Sequence, residues 1–90
     1  MAEQQQKMYS VYVIYNKICD KFYIGQTENL EKRLQLHNSR HFKNSYTSRF
    51  NGEWKLIHIE NFNSRKEAVK REKQLKSYQG RLYIKKLIRP

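Results

Sequence analysis

The chain of 90 residues is long enough for one domain with a modest core and too short for two. Nineteen lysines and arginines against eight acidic residues leave a net charge of +11. Such an excess draws polyanions at long range and opposes self-association, so nucleic acid is the leading partner and a monomer the expected state. No apolar run reaches membrane-spanning length, the opening MAEQQQK is polar, and the lone Cys19 cannot form an internal disulfide. With no zinc-ligand spacing either, the pattern points to a soluble cytoplasmic protein that stands on its core, with no membrane partner.

Residues 1–7 hold no apolar side chain beyond Met1 and Ala2 and read as a flexible tail, leaving 8–90 as the domain. MYSVYVIY (8–15) is dense in β-branched and aromatic residues, KFYIG (21–25) is similar, and NKICD between them is the turn of a hairpin. A turn centred between Lys17 and Ile18 sets Tyr12 opposite Tyr23, so that two phenols project from one face. QTENLEKRLQLHNS then offers Thr27 or Asn29 as an N-cap and Leu30, Leu34 and His37 at helical spacing, which predicts a helix over 29–38. Arg33 and His37, four apart, share a side of it.

RHFKNSYTSRFNG (40–52) is polar, basic and turn-rich, and is expected to be a surface loop. EWKLIHIENF (53–62) has the content of a third strand, and SRKE (64–67) is a capping box that opens a second helix. That helix is expected to run through EAVKREKQLKSY and stop at Gly80, and RLYIKKLI forms a last helix before Pro90. The predicted class is α+β, a three-stranded antiparallel sheet flanked by helices in the order β-β-α-β-α-α.

Three residues break the burial pattern. Glu72 stands on the stripe of Ala68, Val69 and Leu75, where a carboxylate needs a cation, a metal or hydrogen-bond donors; Lys76 at i+4 is the simplest partner. His37 on an apolar helix face is either a satisfied core histidine or a functional one. Arg33 reads most simply as a snorkelling surface arginine.

Together, Tyr12 in SVYVI, Tyr23 in FYIG, Arg33 and His37 in LEKRLQLH, and Glu72 in KREKQLK resemble the GIY-YIG nuclease superfamily, most of all its small stand-alone bacterial type. The resemblance covers residues 8 to about 80, with the tyrosines eleven apart and the arginine ten further on; the first motif reads SVY in place of GIY. It implies Tyr12, Tyr23, Arg33, His37 and Glu72 as catalytic residues converging on one concave surface. Glu72 would hold a single divalent cation, Mg²⁺ or Mn²⁺, with the substrate phosphate and waters as further ligands. Arg33 would clamp the scissile phosphate, Tyr12 would be the general base, and Tyr23 and His37 would hydrogen-bond the phosphate or the attacking water. A phenol of pKa about 10 is a poor base, and Arg33 with a nearby metal is expected to lower it. Gly25 is expected to let the chain turn tightly away into the helix, so that a phosphate can approach the backbone.

Binding is expected from the remaining charge: Lys70, Arg71, Lys85 and Lys86 on the second helix and tail, and Arg40, Lys43 and Arg49 in the loop. The resulting expectation is a metal-dependent endonuclease hydrolysing DNA, on branched or non-duplex structures in repair or recombination. A non-catalytic nucleic-acid-binding protein on the same fold and a basic accessory protein are the alternatives.

Overall fold

The β-branched and aromatic run that opens the domain forms β1, Tyr9–Asn16, followed by β2, Lys21–Thr27, and β3, Trp54–Phe62. The computed structural model describes residues 8–38, 47 and 51–90; the expected tail and most of the expected basic loop, with Arg40, Lys43 and Arg49, lie outside the described residues. Both pairings are antiparallel and the order is β2-β1-β3, so β1 is central. Helices cover both faces of it, which is why Val11, Tyr12, Val13 and Ile14 are all buried and the run is apolar throughout instead of alternating with polar residues.

The hairpin register differs from the expected one. Tyr12 pairs with Gly25 and Ile14 with Tyr23, so the turn is centred one residue later than expected. Asn16 is the cause: its Oδ1 accepts from the backbone N–H of Ile18 at 3.0 Å and of Cys19 at 3.3 Å, and Asp20 adopts a left-handed φ of 56° that an aspartate tolerates. Because the pairing moves by two positions, the side-chain face is unchanged and the tyrosines still project together.

Helix α1, Leu30–Asn38, begins at Asn29, whose Oδ1 accepts from Lys32 N–H at 3.1 Å. Its Leu30 and Leu34 pack with Tyr12, Ile14, Tyr23 and Trp54 on one face of the sheet. The opposite face, Val11, Val13 and Ile24, packs against Ala68, Leu75 and Ile84. These come from α2, Arg65–Lys76, and α3, Tyr78–Ile88.

The second helix stops before Gly80, contrary to expectation. Ser77 takes an extended conformation (φ −70°, ψ 169°) that closes α2, and its hydroxyl accepts from Gly80 N–H to cap α3. Gly80 belongs to the first turn of α3, pressed against the end of α2: a Cβ there would lie 2.3 Å from the Gln74 carbonyl oxygen and 2.4 Å from Leu75 Cα. The glycine serves close helix contact, not termination.

Candidate active site

Tyr12, fully buried in the central strand, places its phenol oxygen 3.0 Å from Nε2 of His37, and Nδ1 of the same ring lies 2.8 Å from Thr47 Oγ1. Thr47 is held in turn by Trp54, whose indole N–H donates to the Thr47 carbonyl at 3.2 Å. Asn38 completes the frame: its side chain accepts from Trp54 N–H at 2.7 Å and donates to Trp54 C=O at 3.0 Å, pinning the end of α1 to the start of β3. Thr47, Asn38 and Trp54 are not among the residues expected from the sequence. A threonine in a polar loop announces nothing, although the single tryptophan was a visible candidate anchor.

The tyrosines and the histidine form one cluster. Ring centroids lie 6.3 Å apart for Tyr12 and Tyr23, 6.0 Å for Tyr12 and His37, and 5.0 Å for Tyr23 and His37. Gly25 makes the cluster possible, and not by turning the chain. It lies within β2 directly across from Tyr12, and a Cβ on it would meet the Tyr12 hydroxyl at 2.6 Å and the Tyr23 ring at 3.0 Å. The missing side chain is the space in which the Tyr12 ring lies.

Burial pushes the Tyr12 phenol well above its ordinary value, with the neighbouring Tyr23 reinforcing it, Arg33 opposing it and Glu72 adding to the rise. This is the reverse of the lowered phenol expected. Desolvation outweighs the arginine. Burial and then the Arg33 charge also lower His37, to about 4, so its imidazole is neutral at physiological pH. Arg33 therefore acts on both partners of the Tyr12–His37 pair.

Glu72 stands apart from this cluster, contrary to the expectation of one shared concave surface. Its helix α2 packs on the face opposite the tyrosines, yet its charge is felt at the Tyr12 phenol. At the open edge of β2 a cavity of about 160 Å³ touches side chains from both faces of that strand, Tyr23 as well as Phe22 and Ile24, together with Arg81 and Lys76, the ion-pair partner of Glu72. Lys76 donates to Glu72 Oε2 at 2.8 Å, so the simple i,i+4 pairing is present, with the carboxylate side chain only 19% exposed. Arg33 borders a cleft of about 350 Å³ with Lys32, Arg65 and the carboxylate of Glu28, a cleft that neither tyrosine nor His37 lines.

Among the described residues no group of three or more histidine, cysteine, aspartate or glutamate side chains could enclose a metal. A hard ion that keeps its waters and takes a substrate phosphate oxygen needs less, and Glu72 supplies a suitable oxygen donor. Of the expected binding residues, Lys70, Lys85 and Lys86 are exposed. Arg71 directs its Nε–H to both Glu60 oxygens at 3.0 Å.

These features define a small α+β domain whose site combines a tyrosine pair on a hairpin with an arginine and histidine on the next helix. Residues 8–86 match the GIY-YIG catalytic domain, and the chain belongs to that family, one of nucleases that act on nucleic acid and generally use a divalent metal. A UPF0213 protein of Syntrophus aciditrophicus (strain SB) is 42% identical over 66 residues, covering 72% of this chain and 75% of the relative. The solution NMR structure of a UPF0213 protein from Bacillus halodurans is similar at a TM-score of 0.52 with 26% identity, over 89% of this chain and 84% of that one. Both mark the small GIY-YIG type. No helix among the described residues is long and apolar enough to cross a membrane.

Proposed function

We propose that the domain is a divalent-metal-dependent endonuclease that hydrolyses DNA phosphodiester bonds, acting as a monomer on branched or non-duplex DNA in the cytoplasm. The observation that carries this reading is the Tyr12–His37–Thr47 hydrogen-bonded chain beside Tyr23, under the fields of Arg33 and Glu72.

Neutral His37 has one ring N–H to donate. With Nδ1–H donated to Thr47, Nε2 accepts from the Tyr12 hydroxyl, and a route for a proton opens. The attacking water gives its proton to the Tyr12 oxygen as the phenol passes its own to His37, so no free phenolate has to exist at rest. Burial is the main cause of the weak basicity of His37, and a phosphate on Arg33 would relieve only the smaller part that the arginine charge adds. Arg33, flanked by Lys32 and Arg65 in the cleft, clamps phosphate oxygens, and Tyr23 orients them or the water. Glu72 would hold the Mg²⁺ or Mn²⁺ ion, which supplies charge neutralisation at the phosphate and the leaving oxygen.

Incubation with a panel of linear and structured DNAs, with either metal and with chelator, should give metal-dependent cleavage. Glu72→Gln, which keeps size and helix propensity, should lower cleavage by about 10² or more while the fold and DNA affinity in chelator are retained. Full cleavage by that variant would remove Glu72 from the site. One observation favours a second reading, a non-catalytic nucleic-acid-binding protein: Lys76 already neutralises Glu72. Tight binding of DNA without cleavage of any panel member would select it.

A further inference from the structure

Helix α3 buries Ile84 completely, yet Tyr78, Leu82, Tyr83 and Leu87 are exposed, more apolar surface than a helix with one buried face should show. Two shallow concavities meet at Tyr83. One, of about 510 Å³, runs along α3 past Leu82, Lys85 and Lys86; the other, of about 390 Å³, turns towards Gln74 of α2, and Gln79 lines both. No carboxylate lines either of them. The Tyr83 ring is braced edge-on by His58 of β3, with centroids 5.6 Å apart and planes at 83°. That places it at the β3 edge of the sheet, whereas Tyr23 stands on β2 at the other edge.

A braced aromatic ring, two side-chain amides and two exposed ammonium groups, with no acid among them, make a surface matched to unpaired nucleotides. Bases can stack on the phenol, amides can meet base edges, and the lysines can meet the phosphates. A blunt duplex hides its base faces and can use only the lysines. The cationic lining disfavours a second copy of this +11 chain.

We infer that Tyr83 is the stacking platform of a second nucleic-acid surface, on α3, which takes a single-stranded segment of the substrate. The inference rests on the nucleic-acid reading above but not on cleavage. Two binding surfaces at opposite sheet edges suit a substrate with a scissile phosphate in one arm and an unpaired strand in another.

The test is fluorescence anisotropy in chelator with a labelled single strand and a blunt duplex of equal length, beside photo-crosslinking of a 5-iodouracil-substituted strand. Tyr83→Ala should weaken single-strand binding about tenfold and leave duplex affinity nearly unchanged; Tyr83→Phe should bind like wild type, and the crosslink should map to Tyr83. Equal weakening for both DNAs, or for neither, overturns the inference. So does a concentration-dependent dimer in sedimentation that Tyr83→Ala abolishes without altering DNA affinity, which would assign the patch to self-association. Tyr83-dependent single-strand binding in a protein that cleaves nothing would leave this surface standing while the nuclease reading falls.

Discussion

A histidine buried beside an arginine resists protonation, and His37 carries that resistance into the stability of the domain. Its pKa of about 4 in the fold lies below the ordinary 6.5 that the unfolded chain keeps. As pH falls, the unfolded chain binds the proton first. Stability is therefore fully present above about pH 6.5 and is lost progressively towards about pH 4, by roughly 3 kcal/mol. Urea midpoints compared at about pH 7.5 and about pH 4.5 should drop in the wild type and drop less in His37→Gln. Equal drops would mean that other groups set the acid sensitivity. At this scale the sequence named Tyr12, Tyr23, Arg33 and His37, because each stands in a short motif of recognisable order. Thr47 stayed hidden, since its role depends on a chain path that brings a loop residue against a helix ten residues upstream.

At the scale of elements, all three strands and all three helices were legible from composition and periodicity. The misjudged details were those decided by tertiary packing. Gly80 carries the chemical signature of a helix terminator, and only the nearness of α2 to α3 reveals a spacer. Gly80→Ala should therefore destabilise the domain by about 1–3 kcal/mol, against the modest gain that exchanging glycine for alanine inside an exposed helix would bring. Thermal melts followed by the buried Trp54 would decide the sign, and a stabilised variant would show that the helices can part cheaply. The Gly25 role was misread for the same reason: the partner that needs its empty space, Tyr12, lies on another strand.

For the whole molecule, the excess of positive charge was the most reliable message of the sequence, and its placement was the part that needed coordinates. Arg71 faces Glu60 and Arg89 pairs with Asp20, so counting cations overstates the surface that a polyanion meets. Replacing Lys85 and Lys86 with alanine should weaken DNA binding and reduce the salt slope by roughly one unit for each phosphate that a lysine no longer neutralises. Unchanged affinity at low salt would show that α3 is not a docking surface.

The central position of β1 has a consequence for how the domain assembles. Val11 pairs with Gln26 across a tight turn and with Glu60 far along the chain. The hairpin can close as soon as its residues leave the ribosome, but the third strand must wait for most of the chain, and distant pairings of this kind slow folding. Asn38 and Thr47 then lock onto Trp54. Pulse-labelled hydrogen exchange during refolding should protect the β1–β2 amides before those of β3. A truncated nascent chain would thus display both tyrosines with no ordered histidine behind them, so that any catalytic power arrives only with the finished fold. Simultaneous protection of all three strands would instead show that the sheet condenses in one step.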